Sequence, residues 1–197
     1  MSKSAGHAIS LVLVLLVAWS CGPPPAPPGP GEARGFVPDL RGYPVMVFPI
    51  QLQSGVPQGL LGDPELAHAL GNRGQGVDWI FPQDMENILR RSPSVPAQIQ
   101  GLPVQVFLQA EVKRVGEPLY GHLVRLGGLT GADVALIPVE LRYGEDGSYL
   151  LSVAVVVIRT ARVAWYGVVE GAPGDADDQG ALASVAEKMA QVLLPYK

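Results

Sequence analysis

The stretch YLLSVAVVVIRTARVAWYGVVEG, residues 149–171, decides the fold. It holds two runs rich in β-branched and aromatic residues, broken at Arg159-Thr160-Ala161-Arg162. Such runs predict two consecutive strands joined by a tight turn around Thr160 and Ala161. At the centre of both runs the apolar residues fall on both faces. A strand of that kind is buried on both sides, so helices or a second sheet must cover it.

The flanking sequence supplies those covers. ADVALIPVELRY (residues 132–143) predicts a third strand, in which Pro138 lacks a donor for the ladder and marks an edge or a bulge. Residues 178–194 predict a closing helix: Leu182, Val185, Met189 and Val192 form one stripe, and Pro195 ends it. Upstream, YPVMVFPI (residues 43–50) and VDWIF (residues 77–81) predict strands. DPELAHALG (residues 63–71) predicts a helix with Asp63 as cap, Pro64 in the first turn and Gly71 as stop. PQDMENILRRS (residues 82–92) predicts another, with acids at its start and Arg90 and Arg91 at its end. A short helix is expected over residues 118–126.

LPVQVFLQAEV (residues 102–112) is the ambiguous piece. Val104, Val106, Leu108, Ala110 and Val112 alternate with mostly polar neighbours, which favours a strand, although Phe107 breaks the alternation. Residues 97–117 stay open between strand and helix. The order β-α-β-α-β-α-β-β-β-α makes the chain a single α/β domain, a mixed sheet with helices packed on it.

The amino terminus has a different grammar. Lys3 is followed by an apolar stretch from Ala8 to Trp19, broken only by Ser10. These 12 residues fall short of the roughly 20 that span a bilayer as a helix. They predict an export signal. The chain's one cysteine, Cys21, follows at once, and then a run rich in proline and glycine. A lone thiol in an oxidising compartment is a liability unless it is consumed.

Ala18-Trp19-Ser20-Cys21 resembles the lipobox of bacterial lipoproteins, with Ser20 and Cys21 flanking the cleavage point. Two positions depart from that pattern: Ala18 replaces leucine or valine, and Trp19 is bulky. The resemblance implies a signal peptide over residues 1–20 and acylation of Cys21, whose chains attach the protein to a lipid bilayer. Gly22 in place of aspartate implies the periplasmic face of the outer membrane over the inner membrane. Residues 21–42 then form a lipidated tether, whose proline-rich part reaches about 40 Å at 3.1 Å per residue. Residues 43–197 form the domain.

Within that domain, VMVFPI with its Phe48-Pro49 step, Gly131-Ala132-Asp133 before a strand, and a hairpin ending in Trp165 resemble the TolB amino-terminal family. Related domains occur in the curli secretion lipoprotein CsgG and in LpoB-type lipoproteins that activate peptidoglycan synthases. The family's hairpin turn carries an aspartate and a glycine, which Arg159-Thr160-Ala161-Arg162 lacks. A positive φ there would be strained. The resemblance implies a protein-binding domain with no shared catalytic residues.

Candidate chemistry is sparse. Glu65 and His68 share one helical face, but a di-iron site needs a second such pair and two further carboxylates. GDADDQG (residues 174–180) has the opening of a calcium loop but puts Ala186 where glutamate is required, so it reads as a turn capping the last helix. His68 and His122 are the only candidate bases in the mature chain, with no nucleophile elbow to serve. GNRGQG (residues 71–76) precedes a strand and reads as a loop. Trp165 and Tyr166 are the candidate partner-binding residues, with core packing as the alternative. A net charge of −4 and no basic stripe exclude nucleic acid as the expected partner. No metal or cofactor is implied.

The expectation is a non-enzymatic envelope lipoprotein that binds another envelope protein, as a synthase activator or assembly factor. An oligomeric secretion-channel subunit is the alternative and an envelope enzyme the next. The partner's identity and the oligomeric state stay open.

Overall fold

The computed structural model describes residues 23–195; Ser20, Cys21 and the apolar stretch before them lie outside it. Seven strands form one sheet: β1 (Ala33–Gly35), β2 (Pro44–Val47), β3 (Leu52–Ser54), β4 (Asp78–Ile80), β5 (Val134–Tyr143), β6 (Ser148–Val157) and β7 (Arg162–Pro173). The strand order is β1-β7-β6-β5-β2-β4, with β3 paired to the far end of β5. β2 is parallel to β4 and β5, whereas β5, β6, β7 and β1 are antiparallel in turn. Five helices are described: α1 (Gly62–Arg73), α2 (Pro82–Arg91), α3 (Val106–Gln109), α4 (Leu119–Thr130) and α5 (Gln179–Leu193). The fold is a single mixed α/β domain with helices on both faces of the sheet.

Two cores follow from strand alternation. On one face Leu151, Val153, Val155 and Trp165 meet Leu66 and Leu70 of α1 and Leu182, Val185 and Met189 of α5. On the other, Ala154, Val156 and Tyr166 meet Met85 of α2, Phe107 of α3 and Leu123 and Leu126 of α4. Burial of Val, Leu and Phe side chains at about 1.5–3 kcal/mol each is the main stabilising contribution in both.

Pro138 stands at a bulge, not an edge. The β5–β6 register slips between Pro138 and Glu140. The slip has a use: Val139 packs in the second core and Leu141, two residues on, in the first. Without the extra residue both would face the same way.

The segment at residues 102–112 is not a strand. Val106–Gln109 is one short helical turn, α3. Val104 and Phe107 are fully buried and Leu108 packs beside them, a spacing of three and four. Val106, which alternation would bury, is 45% exposed. Phe107 takes its place in the core against Tyr166, with ring centroids 5.6 Å apart and planes at 16°. Alternation among small apolar residues lost to one large aromatic with a slot to fill.

Two helix ends also move. α1 begins from Leu61 and runs past Gly71 to Arg73, with Gly74 closing it. Asp63 does not cap it; its carboxylate accepts the backbone N–H of Ile50 at 2.6 Å. The last helix starts as expected, Asp178 accepting from the Gly180 N–H at 2.7 Å, but its buried stripe ends differently: Val192 is exposed, and Leu193, which follows Met189 by four residues, is buried in its place. Between β6 and β7 a turn of 3-10 helix, Ile158–Thr160, leads to Ala161 at φ +56°. The turn therefore takes the left-handed conformation without a glycine.

The proline-rich segment is less free than a tether. Pro25 C=O accepts the Glu111 N–H at 2.9 Å, Pro28 is buried, and Gly31 N–H donates to Val168 C=O at 2.9 Å. Ala33–Gly35 then pairs with Trp165, Tyr166 and Gly167 as the edge strand β1.

Candidate functional site

β7 is bordered along its outer side by two separate pieces of chain. Near its start, Val163 N–H donates to Lys113 C=O at 3.0 Å and Val115 N–H to Ala161 C=O at 2.9 Å. One residue further on, Phe36 N–H donates to Ala164 C=O at 2.9 Å. Gly35 makes that approach possible: its φ is +82°, and a Cβ there would lie 2.1 Å from the Ala164 carbonyl oxygen. The two pieces diverge and leave a cleft of about 370 Å³, with Pro28, Arg34, Phe36, Lys113, Arg162 and Tyr166 among its walls.

Its character is apolar with a basic rim. Tyr166 and Val163 supply apolar wall, and Phe36 stands on the lip at 89% exposure. An aromatic so placed contributes nothing to either core. Arg34, Lys113 and Arg162 reach the rim against one carboxylate, Glu111. Arg34 lies 3.8 Å from Glu32, an exposed pair. Among the described residues neither Lys113 nor Arg162 has a carboxylate within salt-bridge distance.

The chain from Phe36 to β2 crosses one end of the sheet and borders two more depressions. One, of about 530 Å³, lies between half-exposed Tyr43, Asp133 and Arg159. The other, of about 160 Å³, lies between Leu40 and the end of α5 at Leu194. Pro38 lines all three.

Of the residues singled out in the sequence, Trp165 and Tyr166 are 4% and 6% exposed. Successive residues of a strand point to opposite faces, so Trp165 enters the first core and Tyr166 the second. The structure does not bring them together on one patch; only Tyr166 meets the cleft. Burial raises the Tyr166 phenol above its ordinary value, with a hydrogen bond from Ser152 opposing.

The remaining polar candidates serve the fold. Glu65 accepts from Gln179 at 2.8 Å, and His68 pairs with Asn72 at 2.8 Å. His122 Nδ1 accepts the Gln98 N–H at 3.3 Å, and burial together with the Arg125 charge holds its pKa down. The Ala176 carbonyl in the GDADDQG loop takes the Tyr149 hydroxyl. Among the described residues no three His, Cys, Asp or Glu side chains converge on a metal position, and no helix is long and apolar enough to cross a membrane.

Sequence reasoning missed Phe36, Lys113 and Arg162. Phe36 left a signal, being a solitary aromatic in a run of prolines and glycines where no core can hold it.

No family model matches the chain, and no curated protein matches it. Among solved structures it is similar to the LpoB C-terminal domain from Salmonella enterica, at 13% identity over 68% of this chain and 84% of that one, with a TM-score of 0.45. The PelC dodecamer from Paraburkholderia phytofirmans matches at 18% identity over 83% of this chain and 96% of that one, with a TM-score of 0.44. The LpoB C-terminal domain from Escherichia coli matches at 12% over 68% and 84%, also at 0.44. These are distant likenesses, and they assign no family.

Proposed function

We propose that this chain is a cell-envelope lipoprotein, acylated on Cys21 and held at the periplasmic face of the outer membrane, whose α/β domain binds another envelope protein without catalysing a reaction. Its role is that of a synthase activator or an assembly factor. The carrying observation is Phe36, an 89%-exposed aromatic on the lip of an open apolar cleft. Aromatic anchors of this kind dominate the energetics of protein interfaces. The polar side chains support the same reading: Gln51, Asp63, Tyr143, Tyr149 and Ser184 all bind backbone groups and hold loops in place.

The secretion-channel alternative needs membrane strands of about 9–11 alternating residues. Residues 104–112, whose alternation comes nearest to such a strand in the sequence, contain α3 and supply the second core, so they do not meet that need.

Photo-crosslinking tests the binding reading. A benzophenone amino acid replaces Phe36 in the full chain in growing bacteria, and Arg90 on α2 in a control. A discrete adduct with an envelope protein, formed from position 36 and absent from position 90, is expected. Identical or absent adducts at both positions contradict it.

A further inference from the structure

We propose that the cleft on β7 takes an acidic segment of its partner that carries at least one apolar side chain. This deepens the protein-binding reading and rests on it.

Charge decides the chemistry. The chain as a whole carries −4, yet the rim of this cleft gathers Arg34, Lys113 and Arg162 against Glu111, with Glu32 beside Arg34. Lys113 and Arg162 are exposed and have no carboxylate partner among the described residues. Cations clustered on an anionic protein attract carboxylates and repel basic segments. Between them the apolar wall of Tyr166, Val163 and Pro38, beside Phe36, offers a place for one apolar side chain.

The floor decides the contact. A concave apolar floor suits an inserted side chain better than a flat layer of headgroups, and a short segment of chain supplies both that side chain and the carboxylates beside it.

The test uses the chain without signal or anchor, residues 22–197, and fluorescent peptides of about twelve residues. One peptide alternates Glu with Leu, one replaces each Glu by Gln, and one replaces each Glu by Lys. Binding of the Glu peptide is expected, weakened about tenfold or more by K113E/R162E. The Lys peptide should bind that double variant better than the native chain. Both substituted residues are exposed, and circular dichroism checks that the variant folds. Equal binding of the Glu and Gln peptides overturns the proposal, as does no binding of either. So does adsorption of the native chain to vesicles containing about one-third phosphatidylglycerol, lost in K113E/R162E, because the bilayer is then the occupant. Peptide binding as expected with no acyl group found on Cys21 in cells retires the anchor reading and leaves the partner chemistry standing.

Discussion

Phe107 lies flat against Tyr166, ring centroids 5.6 Å apart, and so ties the long connection between α2 and α4 to the outermost long strand of the sheet. Both rings are buried. Phe107→Ala should cost about 3–5 kcal/mol, as truncation of a buried aromatic does. Urea unfolding would show this as a lower midpoint with little change in slope. A loss below about 1 kcal/mol would mean that the connection packs independently of β7.

Gly35 governs whether β1 stays on the sheet. Its φ is positive, and any Cβ at this position would meet the Ala164 oxygen at 2.1 Å, so there is no room for a side chain. Gly35→Ala should detach β1 and release Pro25 to Gly31 with it, while the rest of the sheet survives. Hydrogen exchange reads this directly: the Phe36 amide loses protection and the β6 amides keep theirs.

Ala161 sits at φ +56°, a conformation costing an L-residue about 1–2 kcal/mol. Ala161→Gly relieves it, against the entropy that glycine adds to the unfolded chain. A net gain of about 0.5–1 kcal/mol is expected in thermal unfolding.

Asp63 gives a pH signature. Burial raises its pKa, more than the hydrogen bond from the Ile50 N–H lowers it. A raised folded-state pKa means that the contribution is fully present below the unfolded value and is lost as pH rises through the folded one. Asp63→Asn keeps an acceptor for Ile50 without the buried charge. Its stability relative to the native chain should therefore rise between acid and neutral pH. Asp63→Ala strands the buried Ile50 N–H and should cost about 1–3 kcal/mol.

The central sheet and its covering helices were legible because their patterns are local. Val153 and Val155 against Ala154 and Val156 declare a strand with two buried faces, and Leu182, Val185 and Met189 declare a helical stripe. What escaped was set by contacts distant in sequence. Asp63 looks like a cap until Ile50, 13 residues back, claims its carboxylate. Residues 104–112 alternate well enough for a strand until Tyr166 offers Phe107 a partner. The cleft was invisible for the same reason: Arg34, Lys113 and Arg162 come from three remote segments that only the edge of β7 assembles. Phe36 alone was exposed to a sequence reader, as an aromatic with no pattern around it.

Intact mass spectrometry of the protein extracted from bacterial membranes tests the lipoprotein reading at its root. A mature chain beginning at Cys21 is expected, its mass raised by a thioether-linked diacylglycerol. A chain that retains residues 1–20, or that begins elsewhere with the Cys21 thiol free, would contradict it.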